Sequence, residues 1–199
     1  MRFGIVGLLG VAAALTASTV PSDAQFRTST GPYGADFSSV GIGVDLGAGI
    51  GANSSINTSG VAGGAHIGYN LQSGPIVGGV EVDALLGNIT GQGAGTFRQS
   101  WLDSARFKGG YSFGDILAYG TIGEAWSTTS FESLGYTADK TLTGLVFGVG
   151  AEYALTRSVT LRAELRRYDF NSATYYLPTG APNVTTETNM LLIGASGHF

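Results

Sequence analysis

Along most of this chain, apolar residues alternate with glycine or polar residues, which is the two-residue period of a β-strand. In the segment 40–47, for example, the even-numbered residues are all Val, Ile or Leu, whereas the odd-numbered ones are glycine apart from Asp45. Each of eight such segments covers the roughly 9–11 residues that a tilted strand needs to cross a bilayer. The eight segments are 37–48, 61–71, 76–87, 98–111, 116–126, 141–154, 158–169 and 188–199. The pattern therefore predicts an all-β chain.

The connections between these segments alternate in length. Short turns join strands 2–3, 4–5 and 6–7, at 72–75, 112–115 and 155–157. Longer connections rich in Ser, Thr, Gly and Asn lie at 49–60, 87–97, 127–140 and 171–187. Turns on one side and long loops on the other are typical of an outer-membrane barrel with its turns in the periplasm. Half of the polar face is glycine, which suits the narrow interior of eight strands. We therefore predict an eight-stranded antiparallel up-and-down transmembrane β-barrel.

Aromatic residues collect at the short-turn ends of the strands and are assigned by the alternation to the apolar face. They are Tyr69, Tyr111, Tyr119, Tyr153 and Phe199. Aromatic rings at one height predict a girdle at the periplasmic membrane interface. At the opposite interface, Phe97 and Trp101 are the best candidates. Asp103 falls on the same apolar face as Trp101, where the pattern offers no reason for a charge beyond a position near an interface.

Ionisable residues on the glycine-rich face should point into the barrel. The candidate lumen charges are Asp45, His66, Glu81, Asp83, Arg106, Lys108, Glu124, Glu152, Arg162, Glu164 and Arg166. Charges in a low-dielectric interior must pair or be hydrated. If the second hairpin turns symmetrically about 73–74, His66 faces Glu81. We also expect Arg106 to lie diagonal to Glu124.

A tight third turn would likewise bring Glu152 near Arg162. Two interpretations of the lumen charges remain open at this point. They form a salt-bridged plug that holds the barrel closed and sets its register, or they line a narrow path for small solutes. The excess of acids would favour cations along such a path.

The N-terminus has a different character from the rest of the chain. Arg2 is followed by an apolar stretch at 4–16 and then by small residues at the −3 and −1 positions of a cleavage site before Gln25. This is the layout of a secretory signal peptide. An uncleaved anchor is disfavoured because a spanning helix needs roughly 20 apolar residues. We expect a signal peptide at 1–24 and the barrel domain at 25–199.

Composition excludes several classes of function. The 199 residues include no cysteine, so thiol nucleophiles and Cys-based metal sites are absent, and the net charge of −4 gives no case for nucleic-acid binding. Of the two histidines, His198 belongs to the periplasmic end and His66 to the interior, whereas a lipid-modifying hydrolase needs Ser and His at a lipid-accessible surface. No metal-ligand spacing or phosphate-binding loop is present. We predict no enzyme activity, no metal and no cofactor.

Two motifs and the chain end carry a resemblance to a known family. A Ser-x-Arg-x-x-x-Gly-Tyr pattern lies at 104–111, a Gly-x-Gly-x-Glu-Tyr pattern lies at 148–153, and the chain ends on Phe199. With these residues, the whole mature chain resembles the small outer-membrane β-barrel family that includes the immunogenic outer-membrane proteins and OmpA-type barrels of Gram-negative bacteria.

The resemblance implies a location in the cell outer membrane, among lipid and lipopolysaccharide. It also implies that the barrel-assembly machinery recognises the C-terminal strand through Phe199. The expected function is structural, in envelope integrity, or one of surface interaction with ligands at the outer loops. The alternatives are a small porin-family channel for ions or small solutes and, remotely, a lipid-modifying outer-membrane enzyme.

Overall fold

A computed structural model describes residues 35–53, 56–92, 96–133, 136–174 and 183–199, so the predicted signal peptide lies outside the described residues. Every regular element in these ranges is a β-strand. The strands are β1 (Ser39–Asn53), β2 (Ile56–Ser73), β3 (Ile76–Gln92), β4 (Thr96–Phe113), β5 (Ile116–Ser133), β6 (Tyr136–Ala154), β7 (Val159–Thr174) and β8 (Asn183–His198). No helix in these ranges is long and apolar enough to cross a membrane.

The eight strands form one closed barrel in which each strand pairs with its neighbours in the sequence. Every pairing is antiparallel, and β1 closes the sheet on β8 from Gly41 opposite His198 to Asn53 opposite Thr186. Closure gives every strand a partner on both sides, which removes the edges that could not exist in lipid. The predicted fold is confirmed.

The short turns lie together at one end of the barrel. Two of them contain two residues each, because Ser73 pairs with Ile76 and Phe113 with Ile116. Gly74 and Gly114 have φ values of 61° and 66°, a conformation that glycine adopts without steric cost. The third turn, between β6 and β7, is wider and is closed by a hydrogen bond from the Leu155 amide to the Val159 carbonyl of 3.0 Å.

At the other end the strands run well past the predicted segments. Pairing between β1 and β2 continues to Asn53 opposite Ile56, and pairing between β5 and β6 continues to Ser133 opposite Tyr136. Most of the predicted loops are therefore paired strand. The prediction ended each strand where apolar alternation ended, but a paired strand outside the lipid needs no apolar face. The protein thus presents extended hairpins beyond the membrane.

The outer face is a belt of exposed apolar side chains, as a lipid-facing surface requires. Tyr69, Tyr111 and Tyr153 lie on this belt near the turns, and Phe199 is 85% exposed at the same end. Tyr119 is a correction, because it is only 6% exposed and lies inside the barrel. At the opposite end, Trp101 is exposed on the belt, whereas the side chain of Phe97 lies outside the described residues.

The interior is less polar than the glycine-and-charge pattern predicts. On the hairpin side of the charged residues, apolar side chains form a buried cluster. Its members are Ala62, Leu85, Ile89, Leu102, Ala125, Leu142, Val146, Tyr168, Phe170, Met190 and Leu192. Farther out, Gln99 spans the lumen, donating to Ser127 Oγ at 2.8 Å and accepting from Thr188 Oγ1 at 3.3 Å. In the described ranges, side chains therefore occupy the lumen from the charged residues out to Gln99.

A short N-terminal strap, residues 35–38, covers the turn-side opening. The Ala35 amide donates to the Gly114 carbonyl at 3.1 Å, so the strap crosses from the β4–β5 turn to the start of β1. Phe37 is 2% exposed and packs against Val77, Leu117 and Tyr119. Phe37 thus covers the turn-side end of the barrel interior.

Candidate functional site

The structure brings ten of the eleven candidate charges together inside the barrel. All ten are buried, and they are Asp45, His66, Glu81, Asp83, Arg106, Lys108, Glu152, Arg162, Glu164 and Arg166. They come from six strands, of which β7 contributes three at alternate positions. Because a strand turns every second side chain to the same face, this spacing aims Arg162, Glu164 and Arg166 inward together.

Arg162 lies between two carboxylates. It donates from Nε to Asp45 Oδ1 at 2.8 Å and from Nη2 to Asp45 Oδ2 at 2.6 Å. Its Nη1 reaches both oxygens of Glu81 at 2.8 Å. The paired contacts to Asp45 use the planar fork of the guanidinium, the strongest geometry for an arginine–carboxylate pair. Arg162 therefore ties β1 to β3 through the lumen.

Arg106 and Arg166 extend this network across the barrel. Arg106 bonds Glu81, reaches Asp83 Oδ2 at 2.7 Å and reaches Glu164 Oε1 at 2.6 Å. Arg166 contacts the same Asp83 oxygen at 2.7 Å and the other Glu164 oxygen at 3.0 Å. Three guanidinium groups thus share four carboxylates, counting Asp45. Such sharing offsets the free-energy cost of burying each charge. Removing one partner of a buried pair typically destabilises a protein by about 3–5 kcal/mol, because the other charge stays buried and unpaired.

Inward glycines make the room that these long side chains occupy. Gly194 stands between Asp45 and Arg162 in the register, and a Cβ there would lie 2.1 Å from Asp45 Oδ1. A Cβ at Gly148 would lie 2.4 Å from Glu164 Oε1. Arg162 can therefore reach Asp45 across the intervening strand only because that strand carries no side chain at this point.

A second, smaller set of polar contacts lies nearer the strap. Lys108 pairs with Glu152, and its Nζ stands 4.3 Å from the centre of the Tyr119 ring. His198 Nδ1 is 2.8 Å from Ser39 Oγ, and its Nε2 is 2.8 Å from Thr160 Oγ1. The Lys108 pair joins β4 to β6, and the His198 contacts join β1, β7 and β8 where the barrel closes.

His66 forms a Ser-His-Asp arrangement that the sequence did not reveal. Its Nδ1 is 2.8 Å from Asp45 Oδ2, and its Nε2 is 2.8 Å from Ser196 Oγ. Acyl-transfer chemistry also needs donors for an oxyanion and a place for substrate. Here all three residues are buried, Arg162 already binds Asp45, and Ser196 is paired in the ladder on both sides. The arrangement serves as a hydrogen-bond bridge from β1 through β2 to β8.

Two of the three predicted relations between lumen charges are corrected. His66 faces Asp83, and Glu81 faces Gly68, because the second turn is centred between residues 74 and 75. Arg106 has Gly123 opposite it on β5, so it is not diagonal to an inward Glu124.

Glu124 itself is exposed on the outer face. The buried residues in the described part of β5 all have odd numbers, which places the even-numbered residues outside; they are Leu117, Tyr119, Thr121, Ala125, Ser127 and Thr129. Glu152 does pair with Arg162 in the register, as predicted, although its carboxylate binds Lys108.

Asp103 and Glu124 form an acidic pair of positions on the lipid-facing side of β4 and β5. Asp103 is opposite Trp126, and Glu124 is opposite Ala105, which is the next outward-facing residue after Asp103 on β4. Asp103 Oδ1 is buried with no hydrogen-bond partner in the described part of the chain. Both tryptophans lie on these two strands, Trp126 directly opposite Asp103 and Trp101 two residues before Asp103 on β4, so the carboxylates lie beside two aromatic residues.

Several residues of the network carry no charge and were missed from the sequence. Ser104 donates to Asp83 at 3.0 Å, Thr121 donates to Glu164 at 3.1 Å, and Tyr168 receives a bond of 3.2 Å from Arg166. Their inward parity on β4, β5 and β7 is the one signal that could have found them. Across the described ranges, no cluster of His, Asp and Glu has the arrangement of a metal site.

Comparison with known proteins gives concordant matches to outer-membrane proteins. The family described as outer membrane protein beta-barrel domain matches residues 9–199. The 22 kDa outer membrane protein of Rhizobium leguminosarum is 32% identical over 144 residues, which are 72% of this chain and 68% of that protein. The 31 kDa outer-membrane immunogenic protein of Brucella melitensis is 31% identical over 128 residues, 55% of this chain and 53% of that one.

Solved barrels share the fold at low identity. OprG of Pseudomonas aeruginosa is similar with a TM-score of 0.57 and 14% identity, covering 84% of this chain and 98% of that one. Neisserial surface protein A gives 0.56 and 18% over 80% and 97% of the two chains. These likenesses concern the architecture alone.

The network predicts strong coupling between Arg162 and Glu81. Arg162→Gln leaves Asp45 and Glu81 without their main partner, so we expect a loss of about 3–5 kcal/mol in the free energy of unfolding. The double variant that combines Arg162→Gln with Glu81→Gln should lose an amount of unfolding free energy that differs from the sum of the two single losses by about 0.5–3 kcal/mol. Urea unfolding of the refolded barrel in lipid vesicles measures these values.

Arg98→Gln is the matched control, because Arg98 is exposed on the outer face of β4. Arg98→Gln should change the free energy of unfolding by no more than about 0.5 kcal/mol. If Arg162→Gln cost no more than Arg98→Gln, the network would not hold the barrel together.

Proposed function

This chain belongs to the outer-membrane β-barrel protein family, and we propose that it is a closed structural barrel whose extended hairpins make contacts at the cell surface. The protein resides in the outer membrane, and its role is structural or one of surface interaction. The finer proposal concerns the lumen, which we take to be a plug rather than a path for solutes.

The continuous filling of the interior is the observation that carries this proposal. From the turn side outward, Phe37 of the strap, the arginine network, the apolar cluster around Leu102 and the crossing Gln99 follow one another. An ion would have to separate buried charge pairs and then pass an apolar layer that offers it no ligands. Each step has a desolvation cost, so conduction through this interior is unfavourable.

The ends of the barrel suggest its partners. Phe199 projects from the periplasmic end of the barrel beside the β1–β8 seam, where its amide and carbonyl bond Val40. This position supports the proposal that assembly machinery reads the C-terminal strand, after removal of a signal peptide at 1–24. The hairpins at the opposite end are the part of the chain that surface ligands and lipopolysaccharide would meet.

We further propose that the protein is not an enzyme. The relatives are named as outer membrane proteins. The burial of Ser196 and the engagement of Asp45 by Arg162 support a bonding role for the His66 bridge. A nucleophile needs a substrate within reach, and neither the apolar cluster nor the strap leaves an approach to this serine.

The plugged lumen predicts electrical silence. Purified protein that shows the heat-shifted gel band of a folded barrel should give no reproducible conductance steps in a planar bilayer. Arg106→Ala should be less heat-stable yet equally silent, because the apolar cluster and the strap remain. Steady ohmic steps from the wild type would instead establish the small-porin function.

The buried serine predicts resistance to a fluorophosphonate probe. Folded wild-type protein should remain unlabelled at Ser196, because the hydroxyl is occupied by His66 and shielded from water. Ser196→Ala and His66→Gln are the matched variants, and mass spectrometry of the intact chain is the measurement. Stoichiometric labelling of the wild type that both variants abolish would identify a serine enzyme.

A further inference from the structure

At the hairpin end of the barrel, the sheet opens between β6 and β7. On its β5 side, β6 pairs without interruption from Tyr136, which lies opposite Ser133. On its β7 side, pairing among the described residues begins only at Gly144, opposite Phe170. In the part of the chain that the structure describes, β6 from Tyr136 to Thr143 therefore has one strand partner instead of two. We call these residues the β6 edge.

A bulge in β7 explains the opening. Phe170 lies opposite Thr186 on β8, and Ala173 lies opposite Val184, so two residues of β7 face one residue of β8. Such a bulge bends its strand and increases the local twist. Beyond Phe170, β7 consequently leaves β6 and continues beside β8.

Half of the residues on the β6 edge direct their backbone hydrogen-bonding groups to its open side. In an antiparallel ladder, alternate residues direct both N–H and C=O to the same neighbouring strand. At the β6–β7 turn, the Leu155 amide donates to the Val159 carbonyl, and the register of β6 has no irregularity. The odd-numbered residues therefore face the β7 side. On the β6 edge they are Thr137, Asp139, Thr141 and Thr143.

The side chains beside the β6 edge differ between the two faces of the sheet. Leu142 and Phe170 are buried inside, in the apolar cluster. Thr141 and Thr143 are exposed outside, and Thr128 of β5 lies opposite Thr141. A strand added here would place alternate residues against apolar and hydroxyl side chains. In strand addition, backbone bonds supply affinity and the alternate side chains supply specificity.

A second copy of the chain does not complement this edge. Two copies in one membrane are related by an axis along the membrane normal, so their β6 strands run in the same direction. Such a two-fold axis sets each N–H group of one edge at the height of the same N–H group of the other, and neither meets a carbonyl. An antiparallel partner therefore belongs to a different protein, whose direction this membrane does not fix.

We propose that the β6 edge binds an extended segment of another protein at the cell surface, which adds to the sheet as an antiparallel strand. Apolar residues of the segment pack beside Leu142 and Phe170, and they alternate with Ser or Thr residues beside Thr141 and Thr143. An unpaired edge is a template for such an addition. The proposal rests on the surface-contact function and specifies its mode of binding.

Two methylated peptides test this site on the refolded protein in nanodiscs. Both have the sequence Lys-Val-Thr-Val-Thr-Val-Thr-Lys, one N-methylated at its valines and the other at its threonines. The bonding residues of the β6 edge face outward, so the outward threonines of the ligand must bond them. Fluorescence anisotropy should show binding of the valine-methylated peptide and at least about tenfold weaker binding of the threonine-methylated one.

Proline at the edge gives the matching protein variant. Thr141→Pro removes an N–H group from the open side and leaves the ladder to β5 intact, and edge strands tolerate proline. It should weaken binding about tenfold, whereas Thr141→Val, which keeps the N–H group, should bind as the wild type does. The heat-shifted gel band confirms that each variant is folded. In hydrogen exchange, the bound peptide should slow the Thr141 amide, whereas the Leu142 amide is slow throughout.

Equal affinity for the two peptides, unchanged affinity of Thr141→Pro, or a Thr141 amide already protected in the free protein would each overturn the proposal. Binding that appears only after residues 175–182 are shortened would also overturn it, because the edge would then belong to this chain's own loop. Failure of both peptides to bind a folded, electrically silent barrel would overturn this mode of binding and leave the structural function standing.

Discussion

The narrow interior of an eight-stranded barrel is the constraint from which the other features follow. There is room only for side chains, so each inward residue must fit against those of strands across the lumen. Arg106 shows the consequence, since it meets carboxylates from both β3 and β7. Charge alone would not produce this packing, because burying an ion has a desolvation cost that only close, hydrogen-bonded partners offset. Glycines such as Gly194 let the charged groups approach each other, and each guanidinium bonds more than one carboxylate.

The same constraint separates the roles of the two surfaces. Inside, Arg162 and the apolar cluster connect opposite walls of the barrel across the lumen. Outside, the belt needs only to be apolar, so charged residues on it mark places where the surface contacts something other than acyl chains. Arg167, which bonds Asp169 and Glu187, is one such place, and the Asp103–Glu124 face beside the two tryptophans is another. The proposed interactions of this protein therefore belong to its outer face and its hairpins.

Much of the fold was predictable because the alternation in β1, β3 and β7 is regular. The phase of β5 was not, since Ala118, Tyr119 and Gly120 fit either face, and Glu124 and Tyr119 were misplaced together. The apolar cluster escaped notice because Leu85 lies between Ala84 and Leu86, so hydropathy shows no period there. The Asp45–His66–Ser196 bridge joins three strands, and only the register between β1, β2 and β8 reveals it. The hairpin extensions were missed because strands outside lipid carry no apolar signal.

Solvent access to the middle of the lumen distinguishes a packed interior from an open one. The chain has no cysteine, so a single Ser104→Cys variant places a unique thiol inside the charge network. Thr156→Cys, in the exposed turn between β6 and β7, is the matched control. With a water-soluble maleimide, the account predicts that the folded barrel is labelled at 156 and not at 104, and that both thiols react after unfolding. Labelling of the two folded variants at similar rates would contradict a packed, closed interior.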